Sequence, residues 1–191
     1  HVVLYHLPFG AVEFNQMSGR AGRDGKNACV HVLFGGRDGH VNERILASYA
    51  PDRDDLVCLY RVLRALAARA GETGICRTNA EIAEACLEVR PGRALDERAV
   101  SAGIAIFREL GFLETSGYGS GRSIAMSPAP ERMELVGSIR YLEGMRSADE
   151  FRAFRGWALS ASADELRARI VSPITPGFGR RVDEEEGASH E

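Results

Sequence analysis

Lysine is almost missing from this sequence: Lys26 stands alone, and every other basic side chain apart from the five histidines is arginine. Such a bias can come from GC-rich coding as easily as from function, although the planar guanidinium suits pairs of phosphate oxygens. A surplus of positive charge is missing too. The net charge is −3, so the chain is no polycation, and any contact with nucleic acid must come from a local basic patch. Cysteine is scarce and scattered. Cys29, Cys58, Cys76 and Cys86 form no CxxC pair, and their spacing suggests no zinc site. Reduced thiols in a cytoplasmic protein are the expected state. No apolar run approaches the roughly 20 residues that a membrane-spanning helix needs, so no membrane partner is expected. Hydrophobic residues make up 45% of the 191 residues, enough for a folded core in one or two small domains.

The chain opens at His1 rather than Met, directly in an apolar, aromatic run, Val2-Val3-Leu4-Tyr5, that reads as a core strand. It is therefore expected to be the C-terminal piece of a larger protein. Residues 1–50 read as β-α-β-α. After Leu7-Pro8-Phe9-Gly10, a helix is expected over 11–21. Ala28–Phe34, apolar almost throughout, resembles a buried parallel strand. Gly35-Gly36-Arg37-Asp38-Gly39 is expected to end it, with a helix over 40–49.

Residues 51–128 read differently. Pro51-Asp52 starts a helix that carries Leu56, Leu59, Tyr60, Leu63, Leu66 and Ala67 at helical spacing. Thr78 and Glu81 form a capping-box pattern, followed by Ile82, Ala83, Cys86 and Leu87 on one face. A third helix is expected over 96–110, with Val100, Ile104, Phe107 and Leu110 inward and Gly111 ending it. Phe112–Thr115 and Arg122–Met126 flank a Gly-rich turn and predict a hairpin. Three helices and a hairpin make a winged-helix-like α+β domain, a type that often binds DNA through its third helix. That helix offers Arg98 and Arg108, with Arg122 on the hairpin, as possible DNA contacts. Asp96, Glu97 and Glu109 dilute the basic face. Residues 129–176 read as a C-terminal helical segment: one helix over 131–145, a second capped by Ser147 with Glu150, and a third capped by Ser162 with Glu165. Phe151, Phe154 and Trp157 are expected in a core rather than as a base-stacking platform. The Gly-rich, acidic stretch 177–191, with Asp183-Glu184-Glu185-Glu186, is expected to be disordered.

The sharpest motif is Gln16-Met17-Ser18-Gly19-Arg20-Ala21-Gly22-Arg23-Asp24-Gly25. It resembles motif VI of superfamily 2 helicases, QxxGRxGR, in a form close to that of the RecQ family. Arg20 and Arg23, three apart, share a helix face or a helix end. Gly19 and Gly22 allow close backbone approach and a break in the helix. The resemblance implies that residues 1–50 are the end of a RecA-like helicase C-terminal domain. It further implies that Gln16, Gly19, Arg20, Gly22 and Arg23 contact the phosphates of a nucleotide or of DNA, the arginines acting as fingers on a transferring phosphoryl group. A Walker A loop is missing, because Gly22–Lys26 has the wrong spacing and Asn27 follows the lysine. ATP is thus a ligand only if the chain is half of a RecQ-like motor.

A second resemblance covers nearly the whole chain. Val2–Pro8, Val30–Gly35, Asp55–Leu66, Glu109-Leu110-Gly111-Phe112, Ser138-Ile139-Arg140-Tyr141 and Ser162–Leu166 resemble the C-terminal region of some bacterial RecJ-family exonucleases, which are specific for single-stranded DNA. This implies an accessory module for DNA repair or recombination that positions single-stranded DNA or recruits repair proteins. The family's catalytic core, with divalent Mg or Mn held by an Asp-His-His motif and other residues, would lie upstream. No Asp-His-His occurs here, and His1, His6, His31, His40 and His190 lack ligand spacing. No catalytic residue, metal or cofactor is therefore assigned to this chain. The alternative is the C-terminal half of a RecQ-like ATP-dependent helicase, although RecQ proteins usually carry a zinc-binding cysteine cluster after this motif.

Overall fold

The computed structural model describes residues 1–23, 27–128 and 134–171. Within them the chain is mixed α/β, with seven α-helices and two two-stranded sheets. It divides into two compact units, 1–39 with 149 onward, and 40–148. Two helices, α2 (Gly36–Tyr49) and α6 (Ile139–Ser160), contribute residues to both.

The first unit begins with strand β1 (Val2–Leu4), helix α1 (Ala11–Ser18) and strand β2 (Val30–Val32). The strands pair in parallel, Val3 opposite His31, as a strand-helix-strand crossover requires. Both are shorter than their apolar runs. Val3 on β1 is 53% exposed, and Tyr5 and Leu33, just past the strands, are exposed as well. Helix α1 stops three residues before the expected end. Its C-cap is Gly19, whose amide still reaches Asn15 O at 2.8 Å, and Gly22 turns the chain with φ 69°. Helix α2 begins four residues early, inside the glycine-rich stretch read as a turn. The Asp38 carboxylate accepts from the Gly35 amide at 2.7 Å, which supplies a helix start that the glycines alone do not advertise. The unit's core is aromatic. Phe14 lies 6.1 Å from Phe154 and edge-on to Trp157 at 6.0 Å, and Phe9 lies 6.0 Å from Phe151, separations typical of tilted ring pairs. Helix α7 (Ala163–Val171) packs against α1 and starts with the full Ser162–Glu165 capping box.

The second unit holds helices α3 (Arg53–Ala70), α4 (Asn79–Val89) and α5 (Glu97–Glu109), then the hairpin β3 (Leu113–Ser116) and β4 (Ser123–Met126). The expected inward positions meet in one core: Leu56, Leu59, Leu63, Ile82, Cys86, Val100, Ile104 and Phe107 are buried. Leu87, expected beside them, lies on the outside of α4. Tyr60 closes an aromatic triangle with Phe107 and Phe112. Gly103 explains the close approach of α5 to α3, because a Cβ there would fall 2.4 Å from Leu59 Cδ2. The hairpin has a third partner that the sequence did not advertise. Ile75, between α3 and α4, makes an antiparallel bridge to Ile124 through hydrogen bonds of 2.8 and 3.1 Å.

The segment after 134 differs from expectation. In place of a helix over 131–145 and a second capped at Ser147, there is a single turn of 3-10 helix (Leu135–Gly137) and then α6, unbroken through Ser147. Ser138, not Ser147, starts it: its Oγ accepts from the Tyr141 amide at 3.2 Å. Gly144, three residues before Ser147, keeps helical geometry and does not turn the chain, so the Ser147 capping letters lie idle inside the helix. Residues 131–133 of the expected helix lie outside the described residues, as do Asp24 and the tail 177–191. No described helix is long and apolar enough to cross a membrane.

Candidate nucleic-acid interface

In the first unit the motif residues gather at the end of α1. Gln16 lies on the last turn, and Gly19 to Arg23 follow in successive turns. Gln16, Arg20 and Arg23 are exposed. Buried Ser18 pins the helix end by donating to Phe14 O at 2.6 Å. Among the described residues neither arginine has a hydrogen-bond or ion-pair partner. Four of the unit's described acids are engaged elsewhere. Glu13 accepts from the Phe9 amide, Asp38 from Gly35, Glu165 from Ser162, and Asp149 pairs with Arg152. The two guanidinium groups are free charges of this surface, at a backbone turn fit for oxygen-rich anions. Beside them opens a cleft of ≈790 Å³ between α7 and β2. Ala21 and Gly22, which sit between the arginines in sequence, line it together with Val30, Val32, Leu166 and Arg167.

In the second unit the candidate contact face belongs to α5. Its outer side carries Arg98, Ser101 and Arg108, with half-buried Ala102 and Ala105 between them. Two acids that diluted this face in the sequence are tied down. The Asp96 carboxylate caps the helix, accepting from the Ala99 amide at 2.8 Å, and also takes the Ser48 hydroxyl at 2.5 Å. Burial pushes the Asp96 carboxyl up, but these bonds outweigh it and hold the pKa below the ordinary value. Glu109 caps α6, accepting from Ser138 Oγ at 2.7 Å and the Ile139 amide at 2.8 Å; these bonds lower its pKa as well. Glu97 alone remains as a free acid of the face. Arg98 lies over the Tyr49 ring, 5.7 Å from its centroid, and donates to its hydroxyl at 3.2 Å. Arg108 has no partner among the described residues.

Arg122 serves a different purpose. Its guanidinium donates to Asn79 Oδ1 at 2.8 Å and to Arg77 O at 2.9 Å, binding the hairpin to the start of α4. The structure thus brings Arg98 and Arg108 to one helix and Arg20 and Arg23 to one turn, whereas Arg122 is spent on internal bonds. A further cluster was missed. Asp55, on α3 and only 5% exposed, receives Arg90 at 3.3 Å and Arg93 at 2.9 Å, and Arg93 also bonds Asp52. Burial raises the Asp55 pKa against the pull of both arginines. This cluster fastens the turn after α4 to the start of α3. Only the acidic Asp52-Arg53-Asp54-Asp55 start of that helix hinted at it.

Among the described residues no group of three His, Cys, Asp or Glu converges to hold a metal. His1 and His31 do meet, their rings stacked and Nδ1 2.8 Å from Nε2. All four cysteines are free thiols. No family model matches the chain, and neither the curated proteins nor the solved structures give a significant match.

Proposed function

We propose that this chain is a nucleic-acid-contacting accessory module of a larger DNA-processing enzyme, the role implied by its resemblance to the C-terminal region of RecJ-family exonucleases. The observation that carries the reading is the outer face of α5. Two exposed arginines flank a low-relief strip of Ser101, Ala102 and Ala105, and two of the nearby acids are turned to capping bonds. Three helices, a hairpin and the Ile75 bridge suit a winged-helix-like unit, in which this helix would meet the nucleic acid. Arg20 and Arg23 would add phosphate contacts from the first unit.

The test is binding of the purified chain to a labelled single-stranded oligonucleotide across a salt series. Affinity should fall with salt, the logarithmic slope being about 0.7 per phosphate contact on a single strand. Arg98→Ala with Arg108→Ala should weaken binding and flatten that slope, and the chain alone should hydrolyse neither DNA nor ATP. Binding indifferent to salt and to both arginine pairs would sink the proposal, as would sustained nuclease turnover by this chain.

A second reading rests on the unpartnered Arg20 and Arg23 between the helix and second strand of a parallel β-α-β element: the C-terminal half of a RecQ-like motor, whose arginines would face ATP held by another domain. DNA-stimulated ATP hydrolysis on adding such a domain, abolished by Arg20→Ala, would favour it.

A further inference from the structure

The pairing of β1 with β2 brings together two histidines 30 residues apart, a separation at which sequence spacing says nothing about ligation. His31 sits opposite Val3, and the Val2 amide bonds Cys29 O, so the paired stretch begins beside His1. By the two-residue period of a strand, His1, Val3 and His31 share one face of the sheet. That face is in solvent: both histidines are exposed, and Val3 is too, while Leu4 on the opposite face is buried. His1 Nδ1 lies 2.8 Å from His31 Nε2, and the rings stack within 18° of parallel. A ring N–H of one donates to the bare nitrogen of the other, so at least one imidazole is neutral and the two nitrogens are already gathered.

We infer that this pair is a binding site for a late first-row divalent metal ion of the Ni(II) and Cu(II) class, which replaces the shared proton and clasps β1 to β2. Imidazole suits these ions, whereas Mg(II) favours oxygen. A metal–imidazole bond of about 2.0–2.1 Å, the zinc value, puts two nitrogens at right angles on one ion about 2.9 Å apart. The 2.8 Å separation fits that arrangement, which the tetragonal geometry of Cu(II) and Ni(II) offers. A small swing of each exposed ring turns both lone pairs onto the ion. No third His, Cys, Asp or Glu converges on the pair among the described residues, so water fills the remaining positions. The benefit is to the sheet: each strand is three residues long, and an ion held from both fixes their register. The site uses none of the candidate interface's arginines and is independent of the nucleic-acid reading.

Isothermal titration of the untagged full chain with Ni(II), which does not oxidise the free thiols, tests the site. Binding should weaken about tenfold or more in His1→Ala and in His31→Ala, and stay unchanged in His40→Ala. Both variants alter exposed side chains and should keep the wild-type melting curve. The amine of His1 can chelate Ni(II) with its own ring and without His31, so an amino-acetylated chain is the control; it should bind like the unmodified one. Acylation by diethylpyrocarbonate, read by peptide mass spectrometry, should be slowed by Ni(II) at His1 and His31 together and not at His6. Affinity indifferent to His31→Ala, affinity lost on acetylation, or equal acylation of the pair with and without Ni(II) overturns the site. The clasp has its own readout. The Val2 amide bonds Cys29 O at 2.9 Å and the Leu33 amide bonds Leu4 O at 2.8 Å. Hydrogen exchange of both should slow about tenfold when Ni(II) stands at ten times its Kd, and not at all in His31→Ala. Binding without slowed exchange overturns the clasp and leaves the metal site standing.

Discussion

Replacing Gly74 with alanine should loosen the second unit. Gly74 has φ 70° and ψ 175°, a region that essentially only glycine occupies. An alanine held there costs about 1–3 kcal/mol in backbone strain. Its Cβ would also fall 2.4 Å from Ser123 Oγ and 3.1 Å from Ile124 O. The hydroxyl can rotate away, but the carbonyl cannot move without disturbing the Ile75–Ile124 bridge. Losing one of that bridge's two hydrogen bonds adds about 1 kcal/mol. The sum is about 2–4 kcal/mol. A unit of this size loses about 4–8 °C per kcal/mol, so Tm should drop by about 8–32 °C. Far-UV circular dichroism reads the melt, and hydrogen exchange of the Ile75 and Ile124 amides reads the local effect. Gly36→Ala, with nothing near its Cβ, is the control and should melt close to wild type. A Gly74→Ala chain that melts within about 3 °C of wild type, with both amides still protected, refutes the reasoning.

Gly103→Ala should destabilise less, by roughly 0–2 kcal/mol. Overpacking against Leu59 costs about 1–3 kcal/mol, while better helix propensity returns nearly 1; a raised Tm would contradict the close α3–α5 contact. Iodoacetamide should label exposed Cys29 and Cys76 readily in the native chain and spare buried Cys58 and Cys86 until unfolding, since burial pushes the Cys86 thiol up to about 12. Equal labelling rates at all four would contradict the packing of α3 on α4. The Thr78 amide and then Arg77 hold Glu81 down to about 2, so the folded state prefers its carboxylate. That contribution is present above the unfolded value near 4.5 and is lost as pH falls toward 2. The stability gap between wild type and Glu81→Gln should shrink across that window, and a gap constant with pH would refute it.

Local signals were legible where the chain must commit locally. Thr78-x-x-Glu81 and Ser162-x-x-Glu165 start helices as read, because a capping box satisfies amides within one turn. The same letters at Ser147-x-x-Glu150 misled, because a cap works only where the chain leaves helical geometry, and even Gly144, just upstream of Ser147, stays helical. The unit-two core followed from spacing alone. Bonds between distant residues did not: Arg122 to Asn79, Glu109 to Ser138 and Ser48 to Asp96 join positions with no periodic relation. These bonds decide which charges of the candidate interface are free. The arginine pair was legible as a motif and its exposure was not, since exposure depends on how the chain turns after α1.

The first unit is assembled from the two ends of the described chain, with 40–148 intervening. At ribosomal speeds of about 5–20 residues per second, roughly 5–20 s pass between the appearance of residue 39 and that of residue 149. Throughout that interval Phe9 and Phe14 exist without Phe151, Phe154 and Trp157, the rings they pack against. The second unit, contiguous in the chain, can fold meanwhile. The opening segment therefore spends its early life as an unmatched apolar surface, and a transcript that stops before residue 149 leaves it so permanently.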